Sequence, residues 1–74
     1  MYFVYVIKNS KKGDLYVGYS NDVFRRLKEH QKKFPSDEIF YYEAYKFEKD
    51  ARERERKLKQ YGNAWRALKK RVKI

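Results

Sequence analysis

Aromatic and β-branched residues crowd the start of the chain in two short runs, residues 2–7 and 15–19, and both predict strands. Between them lies Asn-Ser-Lys-Lys-Gly-Asp, in which Gly13 can take the positive φ that a hairpin loop demands, so the two strands predict a β-hairpin. The period then changes. Val23, Leu27 and His30 recur at helical spacing with Phe24 and Phe34 flanking, and Ser20, Asn21 and Asp22 offer N-caps, which predicts a helix over about 22–33 that Pro35 and Ser36 end. Residues 39–47 return to an aromatic strand pattern. A second helix over 48–61 carries Ala51, Leu58 and Tyr61 on one stripe and is expected to close at Gly62. Asn63 is the expected cap of a third, on which Trp65, Leu68 and Val72 share a face. The order β-β-α-β-α-α predicts an α+β fold, a small three-stranded antiparallel sheet flanked by helices, in one domain spanning residues 1–74.

Composition explains how so short a chain builds a core. Aliphatic residues are few, but 5 Phe, 8 Tyr and 1 Trp each bury a large area, and the tyrosine hydroxyls need partners, water or a chemical task. Charge narrows the partners. Lys and Arg number 20 against 10 Asp and Glu, a net +10, which draws polyanions from a distance: nucleic acid first, an anionic membrane surface second. The basic segments also carry acidic residues and none has a broad apolar face, so a membrane partner is not expected. With no cysteine and only His30 as histidine, disulfides, thiolate zinc and multi-His metal sites are excluded, and any metal would be a hard cation on carboxylate and water. No apolar run approaches the length of a membrane span and no signal-like segment follows Met1, which reads as a cytoplasmic chain.

Several polar residues fall where apolar ones belong. Arg26 and His30 lie one turn apart on the side of the first helix that carries Val23 and Leu27. Glu55 continues the stripe of Ala51 and Leu58, so its carboxylate must be paired, hydrated or bound to a cation. An ion pair with Arg26 or a hydrated rim position would satisfy it as well. Tyr5 and Tyr16 sit on the two hairpin strands, where a one-residue slip would turn one of them to the other face. Together these residues are the parts that phosphodiester hydrolysis uses: a carboxylate for a hard cation, a guanidinium for phosphate charge, and a phenol to orient or deprotonate water. A phenol can act as base only if its pKa falls from about 10, and a bound metal and Arg26 are expected to push it down.

The sequence resembles the GIY-YIG nucleases. Phe-Val-Tyr-Val-Ile-Lys-Asn at 3–9 and Leu-Tyr-Val-Gly-Tyr-Ser at 15–20 look like the family's paired triplets, residues 21–30 like the helix that follows, and Glu55 like the carboxylate of a later helix. The similarity is greatest to the small stand-alone bacterial group related to the N-terminal domain of a repair excinuclease. It implies that Tyr5 and Tyr16 flank the scissile phosphate, that Arg26 stabilises it, that His30 assists proton transfer and that Glu55 holds one Mg²⁺ or Mn²⁺. Gly18 matches the second-triplet glycine, with Tyr19 and Arg25 as neighbouring substrate contacts. The departures are Phe3 in place of Gly, Val17 in place of Ile, and Tyr19 where several relatives carry Lys. An Asn found well after the Glu in some relatives has no equivalent, since Asn63 comes too early.

The resemblance implies a metal-dependent endonuclease that hydrolyses phosphodiester bonds in nucleic acid, DNA rather than RNA, in repair or recombination. The alternative is a non-catalytic basic nucleic-acid-binding module on the same scaffold, working through charge and through Tyr41, Tyr42 and Tyr45 as stacking surfaces. A third reading is a component of a larger repair assembly that needs a partner for targeting. The oligomeric state is not legible in the sequence.

Overall fold

The computed structural model describes residues 1–73. Its elements follow the predicted order: β1 (Tyr2–Asn9), β2 (Leu15–Ser20), α1 (Val23–Lys33), β3 (Asp37–Tyr45), α2 (Glu48–Gln60) and α3 (Gly62–Val72). The strands form one antiparallel sheet in the order β2-β1-β3, so β1 is central and both of its neighbours are edges. That position suits the β1 sequence, whose Val4, Tyr5, Val6 and Ile7 are all at most 2% exposed.

Alternation along β1 divides the core in two. Val4 and Val6 face Ala51 and Leu58 of α2 and Leu68 of α3, whereas Tyr5 and Ile7 face Val23 of α1, with Phe3, Leu27 and Ile39 around them. Helix α1 starts where Asp22 accepts the Arg25 N–H at 3.0 Å, as its capping chemistry predicted. The hairpin closes through Gly13 at φ +75, and the Asn9 side chain accepts the N–H groups of Lys11 and Lys12 at 3.1 and 2.9 Å.

Three local expectations need correction. Gly62 does not close α2 in a left-handed cap; it is the first residue of α3, and Tyr61 in an extended conformation joins the two helices. Asn63 is therefore inside α3 and accepts from the Arg66 guanidinium at 3.2 Å instead of capping. The third strand starts two residues earlier than expected, at Asp37, because it carries a bulge. Val6 pairs with Tyr41 and Ile7 with Ile39, which leaves Phe40 as the extra residue. The bulge turns Ile39 into the α1-side core and sets Asp37 opposite Asn9, whose Nδ2 donates to Asp37 Oδ1 at 2.8 Å.

Tyr41 and Tyr45 are not open stacking surfaces. Both hydroxyls donate to Glu43, each at 2.6 Å, and Arg54 of α2 closes the group with a 2.7 Å bond to the same carboxylate. Burial alone would raise the Glu43 pKa, but those three hydrogen bonds and the Arg54 charge outweigh it and hold the carboxyl below its ordinary range. The network fastens β3 to α2. Of the three tyrosines only Tyr42 is exposed, and its ring meets Phe3 edge-on at 5.9 Å.

Candidate active site

Glycine at position 18 organises the α1 face of the hairpin. Tyr5 pairs with Gly18 across the strands, and Tyr16 follows two residues away on the same face. The Tyr5 ring lies across the bare backbone of Gly18, so closely that a Cβ there would sit 2.6 Å from the Tyr5 hydroxyl and 3.0 Å from Cε1 of Tyr16. Tyr5 is only 2% exposed, yet its hydroxyl makes no hydrogen bond to another described residue. No buried side-chain polar atom is left unsatisfied among the described residues, so that hydroxyl retains contact with solvent above Gly18. The ring is core and the oxygen is site.

Tyr16 sits 6.3 Å from Tyr5 between ring centres and is exposed. On its other side His30 of α1 approaches to 4.6 Å between ring centres, tilted by 54°. The imidazole is held from behind: Nδ1 is 3.6 Å from the buried carboxylate of Asp37, within ion-pair distance. Asp37 in turn is fixed by Asn9. That carboxylate faces the Nδ1 edge of the ring. Sequence reasoning missed Asp37, because only the bulge in β3 turns it toward α1.

Glu55 is half-buried, its side chain 20% exposed, on the flank of the Ala51–Leu58 stripe. It pairs with Lys59 at 3.3 Å and not with Arg26, which disposes of the expected alternative pair. Lys59 was a second omission. Its ammonium stands 5.6 Å over the Tyr16 ring, so α2 brings Lys59 and Glu55 past the β2 edge toward the tyrosine face. Arg26 bonds to Glu29 at 3.2 Å on the exposed side of α1.

These charges meet at Tyr5. Burial raises its pKa first, Tyr16 adds to that, Arg26 pulls it down, and Glu55 and Glu29 raise it further; the result is about 12. At Tyr5 desolvation of a core ring outweighs the pull of Arg26, the one of the two expected lowering influences that the chain itself supplies. Tyr5 is a neutral hydrogen-bond donor over the whole physiological range.

Tyr19 turns to the opposite face of β2, where its ring packs against the α2–α3 core. Its edge reaches a cleft of about 290 Å³ shared with Ser20, Asn21, Arg25 and Arg26. Arg25 and Tyr19 thus sit beside Arg26, apart from the Tyr16–His30 pair. Among the described residues no group of three or more His, Cys, Asp or Glu could cage a metal. Glu55 offers a half-buried carboxylate, the oxygen donor that a hard divalent cation prefers.

The GIY-YIG catalytic domain family model matches residues 1–70, and the chain belongs to that nuclease-type family. A search of curated proteins and a search of solved structures each gave no significant match.

Proposed function

We propose that this domain is a metal-dependent endonuclease that hydrolyses phosphodiester bonds in DNA. The observation that supports the reading is the cluster of Tyr5, Tyr16 and His30 on one face of the hairpin, with Lys59 over Tyr16 and the half-buried Glu55 paired to Lys59.

In this reading Glu55 would hold a single Mg²⁺ or Mn²⁺, which when bound supplies Lewis-acid polarisation of the phosphate and stabilises the leaving oxygen. The protein's own groups do the rest. Arg26 draws the phosphate in and takes the charge that develops on its non-bridging oxygens. The Tyr5 phenol, neutral with its pKa near 12, donates a hydrogen bond and fixes either the phosphate or the attacking water. Tyr16 and His30 form the proton-accepting side: one oxygen–hydrogen bond of water breaks as its oxygen bonds to phosphorus, the phosphorus–oxygen bond to the leaving group breaks, and the proton passes to this pair. Asp37 steadies the imidazolium as it forms.

Among the described residues no helix is long and apolar enough to cross a membrane. A cytoplasmic enzyme acting in repair or recombination, alone or within a larger assembly, is the setting we infer from the basic, cysteine-free chain. The test is nicking of supercoiled DNA with Mg²⁺ or Mn²⁺. Wild type is expected to nick and Glu55→Ala to bind without nicking. Equal cleavage by both would assign the activity to another site, and wild-type binding with no nicking would leave a binding module.

A further inference from the structure

Helix α3 departs from the expectation that the basic segments also carry acidic residues. Residues 62–74 contain Arg66, Lys69, Lys70, Arg71 and Lys73 and no Asp or Glu, so they hold five of the ten net positive charges. All 10 Asp and Glu of the chain lie in residues 1–61, interspersed with the other Lys and Arg. The ion pairs among the described residues lie on α1, α2 and β3, and none involves α3. Arg66, Lys69, Lys70 and Lys73 line one open cleft of about 610 Å³ together with Asn63 and Ala67, and no carboxylate of the described residues borders it.

That cleft is linked to the tyrosine face. Lys69 stands 5.9 Å over the Trp65 ring, and Trp65 borders a second cleft of about 420 Å³ with Tyr16, Lys59 and Leu58. A path therefore leads from Tyr16 past Lys59 and Trp65 to Lys69 and on to Arg66, Lys70 and Lys73. Its charged groups are all cations, with one half-buried indole between the two clefts, and its start is the hairpin site.

We propose that α3 is a backbone anchor, along which the nucleic-acid strand runs after it leaves the cleavage site, with Trp65 at the turn between the two clefts. This rests on the nuclease reading for its direction. The occupant follows from the chemistry: a row of cations without acidic partners and with few apolar side chains suits repeated phosphates, whereas a membrane surface would need a broad apolar face beside them. The anchor supplies affinity without base readout, and it lets a domain this small hold a strand longer than its catalytic cluster.

Trp65 is the only tryptophan, so its fluorescence reports on the path directly. The experiment titrates wild type, without divalent metal so that nothing is cut, with single-stranded oligonucleotides of increasing length, and repeats the series with Arg66→Gln/Lys70→Gln/Lys73→Gln. These side chains are exposed, so the substitutions leave the core untouched. Lys11→Gln/Lys32→Gln/Lys49→Gln removes the same charge elsewhere. Oligonucleotides long enough to span both clefts are expected to quench Trp65 in wild type. The α3 variant is expected to lose about fifty-fold in affinity for them at about 0.15 M salt, with the slope of log K against log salt reduced by about 2, three contacts at about 0.7 each. The control triple should lose much less, and kcat at saturating substrate should be unchanged in the α3 variant. Equal losses in both triples would mean net charge alone, and an unchanged α3 variant would mean no anchor. Trp65 responding to phosphatidylserine vesicles but not to oligonucleotide would replace the strand by a lipid surface. Failure of wild type to bind DNA by any readout would sink the nuclease reading itself, an outcome separate from the failure of α3 alone.

Discussion

Adding one methyl group at Gly18 tests whether the hairpin is built around the Tyr5 phenol. The Cβ of Gly18→Ala would stand 2.6 Å from the Tyr5 hydroxyl, 2.8 Å from Tyr5 Cζ and 3.0 Å from Tyr16 Cε1, all well inside van der Waals contact. A flexible surface side chain would swing away at little cost. Tyr5 cannot, because its ring is 2% exposed and packed with Ile7 and Val23. The clash must be relieved by displacing the ring or bending β2, at roughly 1–3 kcal/mol for an overpacked core. Against that, alanine restricts the unfolded chain more than glycine and recovers roughly 0.4–1 kcal/mol, since Gly18 has no positive φ to lose. The net expectation is about 1–2 kcal/mol of destabilisation, which in a domain of this size lowers Tm by roughly 5–15 °C. Activity should fall further than stability. Moving the phenol by about 1 Å costs on the order of a hundredfold in rate where positioning carries the chemistry. Urea or thermal unfolding followed by circular dichroism reads the first effect, and nicking under conditions where the variant is fully folded reads the second. The double variant Gly18→Ala/Tyr5→Leu, with the ring gone, should recover much of the alanine penalty relative to Tyr5→Leu. Gly18→Ala that melts and cleaves like wild type would refute the close approach and with it the site's geometry.

Three further perturbations separate the groups around this centre. Asp37→Asn is expected to lower kcat by about 10- to 100-fold with KM little changed, because it removes the carboxylate that faces His30; an unchanged kcat would make Asp37 purely structural. Folding raises the Tyr5 pKa from 10.0 to about 12, so the folded state holds that proton more tightly than the unfolded chain. The resulting stabilisation, about 3 kcal/mol, is complete below about pH 10 and is lost as pH climbs toward 12. Tyr5→Phe should flatten that alkaline decline in urea-unfolding free energy, and identical curves would contradict it. At the acidic end folding lowers the Glu43 pKa, so its contribution is full above about 4.5 and disappears as pH falls through the folded value. Glu43→Gln is expected to cost roughly 1–3 kcal/mol at neutral pH, leaving Arg54 and two tyrosines poorly paired, and to match wild type more closely near pH 3. A constant gap between the two at every pH would count against it.

What the sequence could and could not reveal follows from the range of each interaction. The element order was legible because it rests on local signals: period-2 aromatic runs, Gly13 in the loop, Asp22 as cap. Tyr5, Tyr16, Arg26, His30 and Glu55 were singled out by family spacing, which is likewise a local signal. Asp37 and Lys59 were not. Asp37 reaches His30 only through the one-residue offset at Phe40, and periodicity carries no mark of a bulge that skips one residue. Lys59 reads as one more solvated charge on α2 until tertiary packing lays it over Tyr16. The raised Tyr5 pKa was hidden for a related reason: the net charge of the chain was visible, but the desolvation that overrides it depends on a ring being in the core. Gly62 and Asn63 looked like helix punctuation, yet an extended Tyr61 alone makes the break between α2 and α3.

Small size also shapes where the chemistry sits. The central strand serves two cores, Val4 and Val6 to one side and Tyr5 and Ile7 to the other, so no interior position is spare for a purely functional group. The chain answers this with side chains that are apolar along their length and polar at the tip. Tyr5 is the extreme case, its ring fully inside and its hydroxyl above Gly18. Glu55 is the same solution on a helix, its stem flanking Ala51 and Leu58 while its carboxylate meets Lys59. The consequence is a division of labour with different tolerances. If the proposed function holds, substitutions at Tyr5 and Gly18 are expected to change folding and chemistry together, since one ring serves both. Those at Tyr16, Arg26 and Lys59, all on the exposed rim, are expected to change chemistry with the fold intact.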